Sequence, residues 1–173
     1  MLVLGIDPGT AITGYGLVRE DDQELALVDC GVITTAAGQP LSVRLQVIYR
    51  ALGEVIQVHQ PDAAAVEELF FSRNVRTALS VGHARGVALL ALADAGLEVH
   101  EYKPVQVKQA VAGYGGADKQ QVQEMVRMLL QLEHAPQPDD AADAVAVAIC
   151  HIHSARMASM IASMADKERK GSQ

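Results

Sequence analysis

Residues 2–10, Leu-Val-Leu-Gly-Ile-Asp-Pro-Gly-Thr, decide the fold. An unbroken run of apolar and small residues ends in Asp7, and Pro8-Gly9 then turns the chain. A short apolar run bounded by a turn has the pattern of a buried strand. Residues 12–19, Ile-Thr-Gly-Tyr-Gly-Leu-Val-Arg, read as its hairpin partner. Gly14 and Gly16 flank Tyr15 there, which marks a bulge or a close backbone approach. Asp21-Asp22-Gln23 marks the next turn and 24–34 a third strand, so the chain opens as an antiparallel meander.

Outward from this meander the pattern changes period. Leu41, Leu45, Ile48, Leu52, Val55 and Ile56 recur at helical spacing, from a start at Gly38-Gln39-Pro40 to about Val58. Gln60-Pro61-Asp62 stops that helix, and 63–67, Ala-Ala-Ala-Val-Glu, has the apolar brevity of a central parallel strand. A helix rich in small residues follows over 75–94 and ends at Gly96. A strand over 97–102 leads to Pro104, a residue suited to the first turn of a helix reaching about Ala112. Beyond the loop Gly113-Tyr114-Gly115-Gly116, Asp118 and Gln121 have capping-box spacing for a helix to about Leu132. Pro136 and Pro138 precede a last helix over 139–164. The expectation is one α/β domain over 1–165, a mixed five-stranded sheet with helices on both faces. A short charged tail, 166–173, is expected to be disordered.

Composition agrees with a single core: the chain has 173 residues, of which 50% are hydrophobic. It has no run of eighteen apolar residues and no basic, apolar leader, which predicts a cytoplasmic protein without a membrane partner. Cys30 and Cys150, far apart in sequence, read as small buried hydrophobes. The net charge of −7 counts against nucleic acid as a partner, but its distribution softens the objection. Residues 1–62 carry eight acids and three bases, whereas 72–129 carry five acids and seven bases. A local basic face binds phosphates even on an acidic protein.

Four acids sit at the ends of elements. Asp7 closes the first strand and Glu67 closes the fourth. Asp140 and Asp143, three apart, share a face at the first turn of the last helix. If the two strands are neighbours and the helix crosses them, four carboxylates converge. Two like charges about 5 Å apart repel by roughly 3 kcal/mol at an effective dielectric near 20. A divalent cation removes that cost, and all-oxygen ligation favours Mg²⁺ or Mn²⁺ over zinc. Two such ions about 4 Å apart form the usual clamp for phosphodiester hydrolysis.

Each acid also has a plainer reading. Asp7 before Pro-Gly forms turns, Glu67 can be an exposed strand end, and Asp139 and Asp140 can cap a helix. Asp143 is harder to dismiss, because it interrupts an Ala/Val/Ile-rich helix on the side shared with Asp140. The case rests on all four together. His151 and His153, two apart on a helix, face different ways and are not a metal pair. Phe70 and Phe71 follow closely on Glu67, where core packing competes with stacking on a splayed base. Lys119, after a Gly-rich loop at a helix start, is well placed to meet a phosphate. An Asp-x-Gly-Thr turn also cradles nucleotide phosphates in actin-like ATPases, but those need a second domain and a second phosphate loop, for which this chain has no room.

Taken in order, these residues resemble the RuvC family of crossover junction endonucleases over about residues 1–153. The anchors are Leu-Gly-Ile-Asp-Pro-Gly-Thr at 4–10, Thr-Gly-Tyr-Gly at 13–16, Ala-Val-Glu-Glu-Leu-Phe at 65–70, Ala-Arg-Gly-Val-Ala at 84–88, Val-Lys-Gln at 107–109 and Asp-Ala-Ala-Asp-Ala at 140–144. The resemblance implies an RNase H-like fold and symmetric, metal-dependent hydrolysis of two strands of a four-way (Holliday) junction in recombination and repair. It implies Asp7, Glu67, Asp140 and Asp143 as metal ligands for Mg²⁺ or Mn²⁺, two ions per site, with Lys119 as a further catalytic residue. It assigns Phe70 to base contact and Lys108 and Lys119 to phosphate contact; Arg73 and Arg76 are additional DNA-binding candidates. It also implies a homodimer working beside a branch-migration complex of RuvA- and RuvB-type proteins. The small-residue helix at 75–94 is the candidate dimer contact. A non-catalytic junction scaffold would not need four intact carboxylates, and an RNase H-like enzyme acting on RNA or RNA–DNA hybrid is set aside only by the resemblance.

Overall fold

The computed structural model describes residues 1–68 and 75–171, with side chains described for 1–68 and 78–165. Phe70 and Arg73, and the side chain of Arg76, lie outside the described residues. Five strands, β1 (Leu2–Asp7), β2 (Ile12–Asp21), β3 (Glu24–Thr34), β4 (Ala63–Glu67) and β5 (Val99–Tyr102), form one sheet in the order β3-β2-β1-β4-β5. The meander pairs antiparallel, and β4 and β5 add in parallel on the other side of β1. This is the expected mixed sheet. The helices are α1 (Leu41–His59), α2 (Val75–Asp94), α3 (Pro104–Ala112), α4 (Lys119–Leu129) and α5 (Asp139–Gly171).

Strand alternation divides the core in two. Leu2, Leu4, Ile6, Leu17, Ala64 and Val66 point to one face and pack with Ile48, Leu52 and Ile56 of α1 and Ala84, Ala88 and Leu92 of α2. Val3, Val18 and Ala65 point to the other, against α3, α4 and α5. The same period of two sends Asp7 and Glu67 to the α5 face. Asp62 ties the start of β1 to its parallel neighbour, its carboxylate accepting from the Leu2 amide at 2.6 Å.

Glycines let α5 lie directly on the sheet. A Cβ on Gly14 would overlap the Asp140 carbonyl oxygen, one on Gly5 would come within 2.6 Å of the Ala148 nitrogen, and one on Gly16 within 2.8 Å of the Val145 nitrogen. Of the two expected roles for Gly14 and Gly16, close approach is the one observed; the register shift of β2 against β3 falls just beyond them, between Leu17 and Val18. α5 has the length and apolarity of a membrane span over Asp139–Ala165, yet from Ala141 to Ile152 it is almost wholly buried in the core.

Three boundaries differ from the sequence reading. β5 begins at Val99 rather than 97, because the Leu97 amide still donates to the Leu92 carbonyl around Gly96 at φ 71°. α4 ends at Leu129 rather than about Leu132, where Gln131 takes φ 54° and Arg127 donates to the Leu132 carbonyl. α5 continues through Gly171, so residues 166–171 prolong a helix expected to end at 164 instead of forming a separate tail.

Candidate active site

Parallel register brings the first two acids together. Ile6 pairs with Val66, so Asp7 and Glu67 emerge side by side at the C-terminal ends of β1 and β4. Asp7 stands opposite Gly14 on β2, and Gly14 is where the first turn of α5 touches the sheet. That contact sets Asp140 and Asp143 over the two strand ends. Asp7, Glu67, Asp140 and Asp143 are all half-buried.

The electrostatics record the convergence. Burial, then the charges of Asp143 and Asp140, push Asp7 up to about 6. Burial, then the charge of Asp7, push Glu67 up to about 7. Asp7 and Glu67 act on each other directly, the charge of Asp7 being the largest cause after burial of the rise at Glu67. Burial also raises Asp143, although Lys119 opposes the rise and Asp140 adds to it. The four acids expected to meet therefore do act on one another.

Lys119, at the first turn of α4, is the cation of the cluster. Its Nζ lies 3.0 Å from Asp143 and 3.3 Å from Asp139. Burial alone would lower its pKa, but those two carboxylates outweigh burial and raise it. Among the described residues no three His, Cys, Asp or Glu side chains are grouped as a metal ligand set, and Asp143 is paired with Lys119. The donor set nevertheless suits a hard divalent cation: it is all oxygen and half-buried, and burial together with mutual repulsion raises its Asp7 and Glu67 members.

Lys108, on α3, faces the same place. With Glu67, Lys119 and Asp143 it lines a cavity of about 180 Å³ whose floor is Pro104, Val107, Val122 and Ala146. The Lys119 end of α4 is fixed by the expected capping box: Asp118 accepts from the Gln121 amide and Gln121 from the Asp118 amide, both at 2.9 Å.

Sequence reading missed one member of the cluster. Asp139 is not merely a helix-start residue; it pairs with Lys119 and accepts from Gln123 at 3.1 Å. No local signal marks it, since its partners lie on a different helix. His151 and His153 behave as ordinary helix residues, as read: His151 is buried against Tyr102 and stacked on His100, and His153 meets the Ala110 carbonyl oxygen. Cys30 and Cys150 are free thiols in or against the core.

An RNase H-like sheet carrying carboxylates at the ends of its first and fourth strands, under a helix supplying two more, defines a nuclease. Residues 3–151 match the family model described as "Crossover junction endodeoxyribonuclease RuvC", and the chain belongs to that family. The crossover junction endodeoxyribonuclease RuvC of Chloroflexus aggregans is 63% identical over 155 residues, 90% of this chain and 94% of that one. Thermus thermophilus RuvC, solved with a Holliday junction substrate, superposes with a TM-score of 0.86 at 42% identity, over 91% of this chain and 96% of that one. The yeast mitochondrial Holliday junction resolvase shares the fold, with a TM-score of 0.62 at 16% identity over 87% of this chain and 78% of that one.

Proposed function

We propose that this enzyme resolves four-way DNA junctions by metal-dependent hydrolysis at the Asp7–Glu67–Asp140–Asp143 cluster. One observation carries the reading: acids from β1, β4 and the first turn of α5 meet in one half-buried place, where burial first and then one another's charges push Asp7 up to about 6 and Glu67 up to about 7. Crowding of that kind is relieved by a small cation of double charge, so the four carboxylates are its ligands, with Mg²⁺ or Mn²⁺ as the fitting ions and two per site. When bound, such ions supply Lewis-acid activation of water and stabilise the charge developing on the phosphate.

The chain's own groups do the rest. Asp7 and Glu67 would hold the metal as carboxylates, any proton they carry passing to solvent. Asp143, now paired with Lys119, would be one of the residues holding the metal; the Lys119 ammonium, also held by Asp139, is placed to stabilise the phosphate that gains charge. Lys108 faces the same cavity and neutralises the neighbouring backbone. Phe70, Arg73 and Arg76, following Glu67 in sequence, complete the DNA contact, with Phe70 stacking on a base at the crossover.

The active form is a homodimer, matching the twofold symmetry of its substrate. The outer face of α2 supports this. Leu79 and Leu90 are 60% and 52% exposed, and His83, Gly86 and Ala93 lie on the same stripe at spacings of four and three. That is the seam of a two-helix contact. The small residues Ala84 and Ala88, by contrast, turn inward onto α1 and the sheet. The enzyme works in the cytoplasm, beside a branch-migration complex of RuvA- and RuvB-type proteins.

The test is a nuclease assay comparing a synthetic four-way junction with linear duplex and RNA–DNA hybrid, with Mg²⁺ and with EDTA. Symmetric cutting of the junction alone, abolished by EDTA, is expected. Equal cutting of linear duplex or hybrid refutes the substrate assignment.

A further inference from the structure

A second cleft opens on the other side of the carboxylates from Lys108 and Lys119. It has a volume of about 620 Å³ and runs from Asp140 along the β1–β2 turn, Gly9 to Ile12, to Arg44 on α1 and Ser80 on α2. Its wall is built from interlocked hydroxyl groups. Arg44 Nε donates to Thr35 Oγ1 at 2.7 Å, and that hydroxyl donates to the Thr10 carbonyl at 2.6 Å. The buried Thr10 hydroxyl donates to the Ser80 carbonyl, and the Ser80 hydroxyl donates back to Thr10 Oγ1 at 2.8 Å. The turn that begins at the metal-side Asp7 is thus clamped from both α1 and α2.

Among the described residues Arg44 is fixed by one nitrogen only. Its Nε serves the turn, while its guanidinium makes no ion pair among the described residues; Arg85 and Arg127 are each paired with a glutamate. A half-buried arginine anchored through Nε presents its two terminal nitrogens as a preset fork, the geometry that grips a phosphate. Fixing the stem beforehand lowers the ordering cost of binding. Arg44 is also one of only three bases among residues 1–62, which carry eight acids, so its position at the cleft is not part of a general basic surface.

Resting on the junction-cutting reading, we propose that Arg44 holds a backbone phosphate of the strand being cut, on the Asp140 side of the reacting phosphate. The strand then crosses the carboxylates with lysines on one flank and Arg44 on the other. A strand pinned on both sides cannot slide along the metal centre, so Arg44 helps fix which phosphodiester is presented to it. The ligand is a DNA phosphodiester, not a base, and the contact carries no sequence preference.

Equilibrium binding of the full chain to a synthetic four-way junction, in EDTA and over a range of salt concentrations, tests this. Arg44→Gln keeps a hydrogen-bond donor for Thr35 and removes the charge; Arg44→Lys keeps the charge. Arg44→Gln is expected to bind roughly tenfold more weakly, with the slope of log affinity against log salt shallower by about one. Arg44→Lys is expected to keep the wild-type slope. A wild-type slope in a folded Arg44→Gln protein overturns the proposal and leaves Arg44 as a clamp on the turn. A slope in Arg44→Lys shallower than wild type by about one also overturns it, because charge is then not the cause; this reading needs no folded Arg44→Gln. A wild-type protein that neither binds nor cuts the junction overturns the functional reading itself.

Discussion

The ammonium of Lys119 sits 3.0 Å from the carboxylate of Asp143. If Asp143 is a metal ligand, as proposed, an internal cation competes for that carboxylate, and loading the site would exchange one positive charge for another. Lys119→Met removes the competitor and exposes the full repulsion among the acids. Its melting temperature is expected to rise more than that of wild type on adding Mg²⁺ or Mn²⁺, while junction cutting falls roughly 100-fold or more. A smaller metal-induced rise than in wild type would mean that Lys119 assists loading and does not compete.

The protonation of Asp7 and Glu67 gives stability a pH dependence. Their folded values of about 6 and about 7 lie above the ordinary 3.8 and 4.5. A raised acid favours the folded state while protonated and opposes it once ionised. The contribution of these two groups is therefore complete below about pH 4 and is lost as pH rises to about 7. Without metal, the melting temperature of wild type relative to an Asp7→Asn/Glu67→Gln double variant is expected to fall across that window. Saturating Mg²⁺ at pH 7.5 is expected to restore it in wild type only. A pH-independent difference between the two proteins would refute the assignment.

The same two residues show how much of this site was legible in the sequence. A buried strand ending in an acid is a local pattern, and both 2–7 and 63–67 carry it with the observed boundaries. Period-two alternation and parallel register then leave little freedom: strands that end in step point their terminal acids to one face. The Asp118–Gln121 cap was equally local. What escaped depends on contacts between distant elements. Asp139 meets Lys119 from another helix, and Arg44 reaches the β1–β2 turn through Thr35, the residue just after β3. Neither has a sequence spacing that announces it. The ends of β5 and α4 escaped for another reason, since both depend on a backbone turn with positive φ at Gly96 and Gln131.

Cleavage and binding are expected to separate at the carboxylates. Asp7→Asn and Asp143→Asn remove a ligand charge without removing a phosphate contact. Each is expected to abolish junction cutting in Mg²⁺ and leave junction affinity within about threefold of wild type, as measured in EDTA. Full cutting by either variant would refute the metal-site assignment.

The outer stripe of α2 makes the quaternary prediction specific. Leu90→Arg puts a charge on a position that is 52% exposed and belongs to neither core cluster, so the fold is expected to survive. Light scattering is expected to give the mass of one chain for this variant and of two for wild type. A dimeric Leu90→Arg protein would move the interface elsewhere.

Gly14 ties the sheet to the site by bringing β2 against the backbone of Asp140. The first turn of α5 rests on its bare Cα, and a methyl group there would overlap the Asp140 carbonyl oxygen. Gly14→Ala must push Asp140 and Asp143 away from Asp7, or distort β2. Either response costs about 3 kcal/mol, at the upper end for overpacking. Cutting is expected to fall together with stability, since the displaced turn carries two of the four acids. Gly53 is the control. It lies inside α1 with nothing within 4 Å of an added Cβ, so Gly53→Ala is expected to stabilise by up to about 1 kcal/mol and leave cutting unchanged. Chemical denaturation and junction cutting of the two variants, measured side by side, check this; a Gly14→Ala protein as stable and active as wild type would show that α5 does not depend on that contact to place its acids.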